Sequence, residues 1–238
     1  MKIIGSVKED LAREKRISIT PETVKQFVDL NFSVLLESKY GEHLGIDDEE
    51  YKNKGASLNS SSKEVLEKSE IILRVNCPSN DEVNLIKNKS ILVGQFDPLT
   101  NKEMINKLIK KEVKIFSLNL LPRITRAQSM DVLSSQANLA GYRAVIESVE
   151  EFGKAVPMMM TAAGTITPAK VLVIGAGVAG LQSIATAKRL GAIVSATDVR
   201  AVAKEQVESL GGKFLAVEGA ENLETSEGYA KEAGEDFK

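Results

Sequence analysis

Between residues 170 and 198 the chain reads KVLVIGAGVAGLQSIATAKRLGAIVSATD, and this stretch leaves the backbone little choice. An apolar run ends in G-x-G-x-x-G at Gly175, Gly177 and Gly180. A helical pattern follows, and a second apolar run ends on Asp198. Strand, glycine turn, helix, strand and acid in that order make one βαβ unit of a dinucleotide-binding sheet. Each part has a physical task. Gly175 permits the tight turn, Gly177 lets the backbone approach a pyrophosphate, and Gly180 lets helix and strand pack closely. The unpaired N–H groups and positive end of the helix then receive the phosphates. Asp198 accepts hydrogen bonds from the adenosine ribose and repels a 2′-phosphate, which favours NAD(H) over NADP(H). The expected cofactor-binding set is therefore Gly175, Ala176, Gly177, Val178, Ala179, Gly180, Asp198, Val199 and Arg200. A cation at Arg200 would favour the phosphorylated coenzyme, but its side chain reads as a surface residue. A glycine turn serving packing alone would not need the acid.

The rest of the chain alternates short β-rich runs with helical patterns, the mark of an α/β fold with parallel sheets. Strands are expected at Lys2–Val7, Ser33–Glu37, Ile71–Val75, Ile91–Gly94 and Lys114–Leu118. Helices are expected at Glu22–Leu30, capped by Thr20 with Pro21 at its first position, and at Ser62–Lys68 and Asn101–Lys111. A long helix from Met130 to Phe152 leads out of this first unit on a stripe of Val132, Ala140, Val145, Val149 and Phe152. The second unit has strands at 171–174, 192–197 and Lys213–Leu215, with helices at 178–190 and 201–210. Three parallel strands are half of a doubly wound sheet. The expected architecture is α/β with two Rossmann-like domains. Residues 1–135 form the first, and residues 136–238 form a nucleotide domain that is incomplete in this chain. The boundary falls in the long helix.

Composition narrows the partners. A formal charge of −2 over 238 residues gives no electrostatic reason to bind nucleic acid. The single cysteine, Cys77, excludes an internal disulfide and fits a reducing compartment. The longest apolar stretch, around Val171–Leu181, falls far short of the roughly 20 residues that span a bilayer. A cytoplasmic protein without direct membrane insertion is expected.

One segment does not fit a scaffold. RITRAQSMDVLSS, residues 123–135, crowds two arginines, a glutamine, an aspartate and several hydroxyls at the carboxyl end of a strand, where open α/β sheets bind ligands. Read with its continuation, LPRITRAQSMDVLSSQANLAGYRAVIE resembles the NAD(H)-binding domain of the alpha subunit of proton-translocating nicotinamide nucleotide transhydrogenases. The resemblance runs on through PMMMTAAGTITPAKVLVIGAGVAG to EGYAKEAGEDF near the C-terminus, and AREKRISITPETVKQ (residues 12–26) is a pattern shared with alanine dehydrogenases.

The resemblance implies that Arg123, Asp131 and Ser134 hold the nicotinamide end of NAD(H) in the cleft between the domains, and that Gln128 points across to a second nucleotide. It implies that Tyr229 belongs to a loop that folds over the bound nucleotide. It further implies hydride transfer between NADH and NADP⁺, the latter carried by a beta-subunit partner. That transfer is coupled to proton translocation by a membrane domain, so the chain is expected to be peripheral at the inner membrane and homodimeric. Members of the family continue through more strands, so the chain is expected to be truncated at its C-terminus. Orienting two nicotinamides at about 3–3.5 Å requires amides, guanidinium, carboxylate and hydroxyl groups rather than a nucleophile.

Two rival readings compete with this one. In an alanine dehydrogenase, a lysine and a histidine follow two of the first-domain strands. Here the corresponding stretches read LRVNCP (Leu73–Pro78) and GQFDPLT (Gly94–Thr100), with Asn76 in place of the lysine and no histidine. The other rival is a truncated, non-catalytic NAD-binding module. His43 has no second ligand with which to hold a metal, so no metal site is expected, and Cys77 has no activating base. Met158, Met159 and Met160 read as apolar filling.

Overall fold

The computed structural model describes residues 1–122 and 124–216. They divide into two units, Met1–Asp131 and the chain from Val132 onward.

The first unit begins with strand β1 (Ile3–Ser6), helix α1 (Pro21–Asp29) and strand β2 (Ser33–Glu37). Helix α2 (Asp48–Asn53), strand β3 (Ala56–Asn59), helix α3 (Ser62–Lys68) and strand β4 (Ile71–Leu73) follow. It closes with helix α4 (Asn80–Leu85), strand β5 (Ile91–Gly94), helix α5 (Lys102–Lys110) and strand β6 (Lys114–Ser117). Local chemistry sets the helix starts. The Thr20 hydroxyl accepts from the Thr23 N–H with Pro21 beside it, and Asp47–Glu50 and Ser79–Glu82 form reciprocal capping boxes. All six strands run parallel in the order β3-β2-β1-β4-β5-β6. That is the doubly wound order, whose direction reverses between β1 and β4.

Two apolar clusters hold this sheet. One gathers Val65, Leu66, Ile72, Leu92, Phe96 and Leu108, and the other Ile19, Val24, Leu36, Tyr40 and Tyr51. Ser6, fully buried, is satisfied by the Tyr40 hydroxyl at 2.8 Å and by donating to the Leu73 carbonyl at 2.7 Å.

The second unit opens with the 21-residue helix α6 (Val132–Phe152). An antiparallel hairpin, β7 (Met159–Thr161) and β8 (Gly164–Ile166), leads into β9 (Lys170–Ile174) and α7 (Val178–Arg189). β10 (Ile193–Thr197), α8 (Ala203–Ser209) and β11 (Lys213–Phe214) complete it. Its parallel sheet has the order β11-β10-β9, the 3-2-1 half of the doubly wound pattern. Val145, Ile184, Ala187, Val194, Ala196 and Val207 make its core. Helix α6 crosses α7 at Gly141, where any Cβ would run into the Ala179 backbone, and the Ser183 hydroxyl donates to the Gly141 carbonyl at 3.0 Å.

The expected α/β architecture is observed, with a six-stranded parallel sheet and a shorter parallel sheet carrying the glycine turn. One expectation fails. Met158, Met159 and Met160 are 58, 48 and 74 % exposed. They lie on or beside a two-stranded hairpin that has no layer over it among the described residues, so contiguous apolar residues here are surface rather than filling. Among the described residues, no helix is long and apolar enough to cross a membrane, and no cluster of metal-ligating side chains occurs. His43 is exposed, its Nε2 2.8 Å from the Lys15 carbonyl.

Candidate functional site

The glycine turn sits at the carboxyl end of β9, and its backbone explains the residue types. Gly175 has φ +90°, in the left-handed region where a side chain is strained. A Cβ at Gly180 would collide with the Gly175 carbonyl, so the first turn of α7 can approach β9 this closely only with glycine there. Gly177 differs from both. Its φ of −73° suits any residue, and a Cβ placed on it would meet nothing within 4 Å. It therefore needs to be glycine neither for conformation nor for packing against this chain. The open space lies beside the N-terminus of α7, where Gly177 caps the helix without a side-chain hydrogen bond. The first-turn N–H groups of this 12-residue helix are donors for an anion.

Asp198 ends the neighbouring strand and turns back onto this loop. Its Oδ2 accepts from the Ala176 N–H at 2.7 Å, and the Gly175 N–H donates to the Thr197 carbonyl at 2.9 Å. Turn and acid are thus fixed to one another by backbone groups. Burial alone would raise the Asp198 pKa, but the Arg200 guanidinium and the N–H groups of Arg200 and Ala176 outweigh it and hold the carboxyl below its ordinary value. Arg200 corrects an expectation. It is no solvated surface cation: its Nε and Nη2 lie 2.9 Å from Asp198 Oδ1 and Oδ2, and its side chain is only 15 % exposed. Val199, between them, is half-buried.

The polar stretch is more ordered than a loop. Thr125–Met130 forms a 3₁₀ helix pinned by buried Ala127, leaving Arg126, Gln128 and Ser129 exposed. Gln128 and half-buried Asp131 belong to the first unit, and half-buried Ser134 stands in the first turn of α6 in the second. Arg123 and Tyr229 lie outside the described residues. Among the expected site residues, the second unit brings together the turn, Asp198 and Arg200.

The first unit holds a further charged constellation that the sequence does not announce. Arg74 at the end of β4 is 4 % exposed in its side chain. It donates to Glu9 through Nε and Nη2, both at 3.1 Å, and to Glu82 at 2.7 Å. Glu9 also accepts from the Val75 N–H at 2.7 Å. These groups line a cleft of about 790 Å³ at the carboxyl ends of the strands, together with Asn76, Gln95 and Asp97. The one signal in the sequence is the acid-rich SVKED just after β1, which reads equally well as a solvated loop. Asn76 donates to Glu14 at 3.2 Å, and burial leads the causes that push the Cys77 thiol up to about 11.

Known proteins share this arrangement of domains. The model of the alanine dehydrogenase/PNT N-terminal domain matches residues 5–140, and that of the C-terminal domain matches residues 144–234. The first portion of NAD(P) transhydrogenase subunit alpha from Rhodospirillum rubrum is 51 % identical over 99 % of this chain. The protein of the same name from Rickettsia prowazekii is 47 % identical over the full chain. The chain spans 63 % of the length of each of these relatives. A solved transhydrogenase of Sinorhizobium meliloti superposes with a TM-score of 0.86 at 48 % identity, covering 90 % of this chain and 64 % of that one.

Proposed function

This chain belongs to the alanine dehydrogenase/PNT family, and from that premise we propose that it is the NAD(H)-binding component of a proton-translocating transhydrogenase. In this reading residues 1–135 form the domain bearing the orienting segment, and residues 136–238 carry the nucleotide. The observation that carries the reading is the turn at Gly175–Gly180. Its one glycine unexplained by packing, Gly177, faces open space at a helix N-terminus, with an ionised carboxylate hydrogen-bonded to the same turn.

These residues fit a dinucleotide. The α7 N–H groups would hold the pyrophosphate, Gly177 would leave room for it, and Asp198 would take the adenosine ribose. Bound NADH supplies a hydride from C4 of its nicotinamide, which goes to C4 of the oxidised ring of NADP⁺ on a partner subunit. The chain's role is orientation. Arg123, Asp131 and Ser134 would grip the nicotinamide end and Gln128 would reach toward the second nucleotide, with no acid or base required at the reacting carbons. Tyr229 would close over the nucleotide. Proton translocation would reside in a membrane domain on other chains, with a beta subunit carrying NADP(H) and this component peripheral at the inner membrane. A homodimer belongs to the proposal, and the exposed hairpin Met159–Ile166 supports it as apolar surface available to a second copy. The relatives named as transhydrogenase subunits support the reading over an amino-acid dehydrogenase. So does Asn76, whose amide is spent on Glu14 where a substrate-binding cation would be needed.

The test is isotopic. Mixed with an NADP(H)-binding partner subunit and NADH deuterated at C4, the protein should yield NADPH carrying the label, with none lost to water. Label appearing in water, or no reduction at all, contradicts the proposal. Gln128→Asn should slow that transfer by roughly tenfold or more while shifting the NADH dissociation constant by less than about twofold. A variant with normal turnover removes Gln128 from the role.

A further inference from the structure

The carboxylate expected to receive the ribose has no acceptor capacity left. An ionised aspartate offers about four lone-pair sites, two on each oxygen. Oδ1 of Asp198 accepts from the Arg200 backbone N–H at 2.8 Å and from Arg200 Nε at 2.9 Å. Oδ2 accepts from the Ala176 N–H at 2.7 Å and from Arg200 Nη2 at 2.9 Å. Two of the four donors are backbone groups that hold the strand end and the glycine turn in place. The other two are the fork of one guanidinium, reached from two residues along the chain.

We propose that coenzyme choice at this site is set by the Asp198–Arg200 pair rather than by the acid alone. In this arrangement Arg200 is a displaceable occupant of the ribose position and a latent anchor for a 2′-phosphate. The inference rests on the nucleotide reading of the turn. A ribose diol can donate to Asp198 only if the guanidinium gives up its two positions, because the backbone donors cannot leave without opening the turn. The displaced fork stays tethered within two residues of the carboxylate. It therefore remains beside the hydroxyl that distinguishes the two coenzymes. While Asp198 is present, the carboxylate's charge opposes a phosphate there and compensates the guanidinium. With Asp198 gone, the same fork turns to phosphate oxygens, the geometry guanidinium groups favour.

The two side chains must then act as a coupled pair, which distinguishes this from a purely structural salt bridge. The experiment is a titration of the full chain and three variants, Asp198→Ala, Arg200→Ala and the double variant, with NADH and NADPH, alongside thermal unfolding of each. Arg200→Ala should leave NADH binding equal or tighter and widen the preference for NADH by roughly tenfold, since the acid is no longer neutralised. Asp198→Ala should weaken NADH and tighten NADPH by roughly tenfold, and the added Arg200→Ala should abolish that NADPH gain. Equal NADPH affinity in Asp198→Ala and the double variant overturns the inference, as does an Arg200→Ala protein that loses NADH as severely as Asp198→Ala does. A wild-type chain that binds neither coenzyme overturns the nucleotide reading itself. Clear NADH binding with no effect of Arg200 removes this inference alone.

Discussion

Arg74 carries its charge almost out of reach of water, with Glu9 on two of its nitrogens and Glu82 on a third. A buried pair of this kind adds little net stability over an apolar substitute, but removing one member leaves the other charge desolvated and alone. Arg74→Ala should therefore lower the unfolding free energy by about 3–5 kcal/mol, read by urea denaturation followed by circular dichroism. A loss no larger than that of an exposed substitution would show that water reaches Glu9. Glu14 provides a second residue-level test through pH. The Arg16 guanidinium, with Nη2 at 2.6 Å, leads the causes that hold the Glu14 carboxyl down to about 2, and the Arg16 and Asn76 N–H groups add to it. Because the folded value is depressed, the contribution is fully present above the unfolded glutamate value of about 4.3. It is lost as pH falls from there toward about 2. The urea midpoint of the wild type should fall more steeply across that window than that of Glu14→Gln. Parallel curves would mean that the pair persists in the unfolded chain or is absent from the folded one.

At the level of elements, whatever rests on local chemistry is readable from the sequence. Thr20–Pro21 and Ser61 mark helix starts because caps act within three residues, and Ser33–Glu37 and Ser62–Lys68 lie where periodicity puts them. Helix α2 escapes such a reading because DEEYKN offers a single apolar side chain, Tyr51. That ring is fully buried edge-on against Tyr40, a tertiary contact that no periodicity signals. Helix α4 likewise buries only Val83. The methionines mislead because an apolar run says nothing about whether a layer covers it. At the candidate site the glycines are legible, since their spacing is itself the turn. The Arg200 fork is not, because a pairing two residues apart depends on a rotamer choice after the strand has ended. The turn is also where an element-level substitution should be costly: Gly180→Ala forces β9 and α7 apart. It should destabilise the second unit by about 1–3 kcal/mol, measured by thermal unfolding. An unchanged midpoint would mean that the turn relaxes without strain.

The whole molecule repeats one idea at two sizes. The first unit completes the doubly wound order across six strands, while the second presents the 3-2-1 half and the turn that half exists to carry. β9 and β10 also bear exposed apolar residues, with Leu172 at 56 %, Ile174 at 81 % and Ile193 at 50 %. The chain spans 63 % of the length of its Rhodospirillum rubrum relative, so the central claim has to be tested on what this chain holds itself. Gly177 allows that test cleanly, because its backbone accepts a side chain and no described residue occupies the space a Cβ would enter. Titration of NADH fluorescence should show saturable binding to the wild type. Gly177→Val should lose it by roughly a hundredfold, while its unfolding temperature stays within about 3 °C. Equal NADH binding by wild type and Gly177→Val would contradict the account, because the coenzyme would then lie somewhere other than this turn.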